Sequence, residues 1–62
     1  MCLSTVYEEK GNERSKVCEY VSGIHTENGE IRLTDIMGRE IIVRGNLKSL
    51  DFIKNEIIIE GA

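Results

Sequence analysis

The sequence predicts an all-β fold, a small barrel of five to six short antiparallel strands, on three observations. Side chains alternate in two sets along Cys2 to Tyr7, with Leu3, Thr5 and Tyr7 on one face and Cys2, Ser4 and Val6 on the other. Glycine and asparagine recur between β-rich runs at Gly11-Asn12, Asn28-Gly29 and Gly45-Asn46, where tight turns need residues tolerant of positive φ. The run Ile57-Ile58-Ile59 has the composition of a buried strand.

Taken in order, the first strand ends at the polar turn Glu9-Lys10-Gly11-Asn12. The segment Lys16 to Thr26 carries Val17, Tyr20, Val21 and Ile24, and Gly23 within it predicts a bulge or bend of the kind a barrel corner requires. Asn28-Gly29 is a type I′ hairpin signal. After it, Ile31 and Leu33 face inward while Glu30, Arg32 and Thr34 face water. Met37-Gly38-Arg39 connects to a strand over Glu40 to Arg44, with Ile41 and Val43 inside and Ile42 outside. Gly45-Asn46 predicts another turn. Leu47, Leu50 and Ile53 fall three apart, yet the segment is too short and too poorly capped for a stable helix and supports at most a 3₁₀ turn. Lys54-Asn55 leads into the strand Glu56 to Glu60. Together these elements read as a barrel of the SH3-like class, an architecture that does not by itself specify a function.

The chain has 62 residues, enough for one core, so 1–62 reads as a single domain. Folding alone is marginal at this size. A disulfide, a metal or a partner subunit usually makes up the difference, and self-association is the leading expectation here. Eight Lys and Arg against eleven Asp and Glu give a formal charge of −3, which argues against a dedicated nucleic-acid binder. No run approaches the roughly 18 apolar residues of a membrane span. The first ten residues lack the basic region and apolar stretch of a secretory signal. A cytoplasmic location with Cys2 and Cys18 as thiols follows as the expectation.

Catalysis has little to draw on. His25 is the sole histidine and has no nucleophile at a recognisable spacing, so it reads as a surface imidazole. Asp35, Glu40 and Asp51 are explained by solvated strand faces, and no glycine-rich phosphate loop is present, so the chain does not read as an enzyme. Cys18 reads as core.

Cys2 is different. Removal of Met1 would leave a thiolate and an α-amine able to chelate one metal ion in a five-membered ring; with Met1 retained, a backbone amide nitrogen could serve instead. Two copies across a two-fold axis would supply two sulfurs and two nitrogens, a set that suits Ni²⁺ or Cu²⁺ when planar and Zn²⁺ when tetrahedral. The alternative is that Cys2 is simply a small apolar residue opening a strand. A small RNA-binding barrel is a second functional reading, with Tyr7, Tyr20 and Phe52 as stacking platforms and Arg32, Arg39, Arg44 and Lys48 on phosphates. A plain interaction adaptor is a third.

Three stretches carry a family resemblance: the opening Met1-Cys2-Leu3-Ser4-Thr5-Val6-Tyr7, the middle segment Asn28 to Glu40 with its Leu33-Thr34-Asp35-Ile36-Met37-Gly38 turn, and Val43 to Asp51 before the isoleucine strand. Over nearly the whole chain they resemble the CooT family, small nickel-binding accessory proteins of carbon monoxide dehydrogenase maturation that have also been labelled predicted RNA-binding proteins. The resemblance implies a homodimer of SH3-like barrels holding Ni²⁺ through Cys2, with carbon monoxide dehydrogenase as the client. Ser4 stands where alanine is frequent and Ile36-Met37 where Leu-Phe is common; both changes are conservative.

Overall fold

The computed structural model describes residues 3–62. Five strands, β1 (Ser4–Lys10), β2 (Glu13–Glu27), β3 (Glu30–Asp35), β4 (Glu40–Asp51) and β5 (Glu56–Gly61), form a closed ring in sequence order. The expected small all-β barrel is therefore present with five strands. The four sequential pairings are antiparallel, whereas the closing pair, β1 with β5, is parallel. The intervening meander acts as the long crossover that a parallel pair requires. No helix among the described residues is long and apolar enough to cross a membrane.

Two strands are longer than expected, 15 residues in β2 and 12 in β4, because each serves two neighbours. β2 pairs with β1 up to Val21 and with β3 from Val21 onward. β4 pairs with β3 over Glu40–Arg44 and with β5 from Gly45 to Asp51. Gly45-Asn46 is thus not the turn that its composition predicts but a corner inside a continuous strand. Gly45 is buried at φ 150°, and its N–H donates to the Gly29 carbonyl at 3.0 Å. A Cβ there would overlap the Glu60 carbonyl oxygen, so the corner depends on the missing side chain.

The three-residue spacings are resolved by bulges. Ser4 and Val6 face Val21 and Cys18, so β2 carries one extra residue between them, and Tyr20 lies in that step at φ 58°. β2 carries a further extra residue between Lys16 and Cys18, which face Tyr7 and Val6, and another between Val21 and Gly23, where a bulge is expected. In β4, Leu47 faces Ile59 and Leu50 faces Ile57, with the extra residue between Leu47 and Ser49. Each bulge returns two residues three apart to the same face of the sheet, which plain alternation forbids. Residues 52–55 form a hydrogen-bonded turn, with Asp51 Oδ1 accepting the N–H groups of Ile53 and Lys54, both at 3.0 Å.

The core is built from Val6, Cys18, Val21, Ile31, Leu33, Ile57 and Ile59, with Ile41 and Val43 packed against it. On the outside, Glu9 of β1 accepts hydrogen bonds from Arg14 of β2 and Lys48 of β4, spanning the β1–β5 seam. Substituting Gly45 by Ala is expected to destabilise the barrel by about 2 kcal/mol or more, from positive-φ strain and the clash with β5. Urea unfolding of the two proteins measures the difference.

Candidate functional site

The start of β1 is held at one end of the barrel. Ser4 is buried opposite Val21, Thr5 is paired with Glu56, and the Thr5 N–H donates to the Asn55 carbonyl at 2.9 Å. Cys2, the expected metal ligand, lies outside the described residues and immediately precedes Leu3. The site is therefore defined by what surrounds the point where β1 begins.

That end of the barrel is apolar. Of the eight exposed large hydrophobic side chains among the described residues, six gather there, so their placement is not random scatter. One wing comprises Tyr20, Ile36 and Met37; the other comprises Leu50, Phe52 and Ile53, the last 95% exposed. Strand pairing puts them together: Val21 lies opposite both Ser4 and Asp35, and Asp51 lies opposite Glu56, itself the partner of Thr5. A cavity of about 330 Å³ lined by Ser4, Gly23, Ile24, Leu50 and Phe52 adjoins the second wing.

Both wings rest on turns held by aspartates. Asp35 is 4% exposed; its Oδ1 accepts the N–H groups of Met37 and Arg39 at 2.9 Å, and its Oδ2 accepts Arg39 Nε at 2.8 Å. The Arg39 backbone N–H, reinforced by its guanidinium and by the Met37 N–H, holds the Asp35 carboxyl below its ordinary range. Asp51 plays the same part beneath Phe52 and Ile53. With the backbone satisfied locally, the apolar side chains of these turns are free to face outward.

The remaining candidates do not assemble a site. Cys18 is buried, its Sγ 3.6 Å from the Glu19 carbonyl, and burial together with the Asp35 charge pushes its thiol pKa up, away from the thiolate that metals and electrophiles need. His25 is exposed on β2 with Nε2 3.6 Å from Glu27. Asp35 and Asp51 are occupied in their own turns, and Glu40 is exposed at the start of β4. Among the described residues no three His, Cys, Asp or Glu side chains are grouped to hold a metal. Of the basic residues in the RNA reading, Arg39 pairs with Asp35, Arg44 with Glu30 and Lys48 with Glu9. Tyr7 lies beneath Arg14 at 5.6 Å, while Tyr20 and Phe52 are on the apolar end, so the three aromatics do not form one stacking platform.

The family model for the CO dehydrogenase accessory protein CooT matches residues 1–60. The chain belongs to the CooT family. Its fold is similar to the crystal structure of a protein assigned as CooT from Carboxydothermus hydrogenoformans, with a TM-score of 0.89 and 18% identity over 98% of both chains. No curated protein sequence matches it significantly. The family is one of accessory proteins to an enzyme, which accords with the absence of a catalytic constellation from the sequence reading.

The apolar end of this CooT chain escaped sequence reasoning. The available signal was apolar residues in turn positions, Ile36-Met37 and Phe52-Ile53, where polar residues are usual. The Asp35 turn makes a measurable claim. A carboxyl whose folded pKa is depressed contributes stability above its unfolded value and loses that contribution as pH falls through the folded one. Urea midpoints should therefore drop as pH falls below the ordinary aspartate value of 3.8, and Asp35→Asn should lower the midpoint at pH 7 while flattening this acid limb. Glu9, held low by Lys48 and then Arg14, accounts for a residual slope.

Proposed function

We propose that this CooT protein is a nickel-binding, metallochaperone-like accessory protein whose homodimer holds one Ni²⁺ through two Cys2 thiolates and supplies it to a carbon monoxide dehydrogenase client. The observation that carries the reading is the position of the β1 start, anchored by Ser4 and Thr5 inside an apolar rim. Cys2 stands two residues before Ser4 in the sequence, so the proposed ligand directly precedes this anchored strand start. A second copy docking on the Leu50–Phe52–Ile53 wing buries exposed apolar surface and brings a second Cys2 to the same axis. Both a small domain's need for more core and a half-site's need for more donors are met by the same contact.

Two thiolates with two nitrogens from the chain starts make a four-donor set suited to Ni²⁺. Binding strength alone ranks copper higher, so the choice of nickel reflects supply and geometry. A reducing cytoplasm keeps both sulfurs available. Because each sulfur must lose a proton to bind, nickel affinity rises with pH through the cysteine range.

Cys2→Ser should abolish stoichiometric nickel uptake in calorimetry while leaving the dimer mass unchanged in light scattering. One nickel per dimer at undiminished affinity in that variant would refute the reading. Ile53→Glu, at a fully solvated turn position, should leave the circular dichroism of the barrel intact. It should also raise the dimer dissociation constant at least tenfold, about 1.4 kcal/mol, in sedimentation equilibrium.

A further inference from the structure

The other wing, Tyr20, Ile36 and Met37, borders a cleft of about 520 Å³ that the nickel reading leaves unused. One wall is the backbone of β2 from Lys16 to Tyr20; the opposite wall is the β3–β4 turn, Ile36 to Arg39. Along Lys16–Cys18, β2 is paired with β1 on one side. Pairing with β3 begins only at Val21, preceded by a single contact in which the Ile36 N–H donates to the Tyr20 carbonyl at 3.1 Å. Among the described residues the second side of this stretch therefore has no strand. An open edge inside a cleft is the geometry in which an extended chain adds a strand.

The side chains narrow the occupant. Val17 and Cys18 lie beneath the cleft, and Tyr20, Ile36 and Met37 rim it at 57%, 54% and 79% exposure. Glu19 is matched by Lys16 at 3.1 Å, and Asp35 is matched by Arg39 Nε. The Nη donors of Arg39, on a side chain 76% exposed, have no partner among the described residues. The cleft thus offers apolar contact, a row of backbone hydrogen bonds and one uncommitted guanidinium end, which calls for a carboxylate.

We propose that the Lys16–Tyr20 edge and the Ile36–Arg39 turn form a docking groove for an extended peptide segment of a partner protein, in which apolar and acidic residues alternate. The segment pairs with β2 through its main chain, places an aliphatic side chain against Ile36 and Met37, and presents a carboxylate to Arg39.

The test uses ¹⁵N-labelled Cys2→Ser protein without metal, so the outcome is independent of nickel. It is titrated with a capped peptide of about six residues alternating valine and glutamate, a typical strand length. Saturable shifts should map to amides of Lys16–Tyr20 and Ile36–Arg39. A valine–lysine peptide, and the surface variant Met37→Glu, should each bind at least tenfold more weakly. Absence of saturation, shifts mapping elsewhere, or equal binding of the lysine peptide would overturn the proposal. So would concentration-dependent shifts of the same amides without peptide, which would assign the groove to a second copy.

Discussion

A ring of only five strands closes because two of them change partners along their length. β2 and β4 each pair with one neighbour, bend, and pair with another, so that a chain of this size encloses a core without a sixth strand. The bend in β4 rests on Gly45, where the β5 backbone approaches too closely for any side chain. The bend in β2 rests on three register irregularities and the positive φ of Tyr20. The position of the β1 start, the apolar end and the open edge beside it all follow from these corners, because the corners decide which backbone is left without a neighbour.

The distribution of polarity follows a second rule. In both turns at the apolar end the backbone is stabilised by an aspartate side chain rather than by burial of apolar groups. Hydrophobic side chains there contribute nothing to this barrel's own core. A protein this small does not expose Ile53 and Met37 without consequence for solubility, which is why a surface of this kind marks contact with other molecules. Membership of a family of accessory proteins is consistent with a barrel whose chemistry lies in what it holds and touches.

Much of the architecture was legible in the residues. Asn28-Gly29 announced its hairpin, Gly23 its bulge, and the run Ile57-Ile58-Ile59 the buried last strand. Gly45-Asn46 misled because a glycine required for close approach has the same appearance in sequence as one required for a turn. The three-residue spacing of Leu47 and Leu50, too short and poorly capped for a helix, did not announce a strand either, because only a bulge reproduces that interval within one. The parallel closure was invisible, since register between chain ends leaves no local signature. Of the proposed site, Cys2 was singled out by its place in the sequence and lies outside the described residues. The apolar wings required strand pairing to bring Tyr20, Ile36 and Phe52 to one end.

The parallel seam between β1 and β5 has a bearing on assembly in the cell. The Asn55 carbonyl and β5, which fix Thr5, are made after every other strand of the barrel, so the start of β1 waits for the rest of the sheet before it is held. Closure of the most distant pairing is also entropically the slowest step. A nascent or shortened chain lacking β5 would carry Thr5 without the strand that fixes it, and its barrel would stay unclosed.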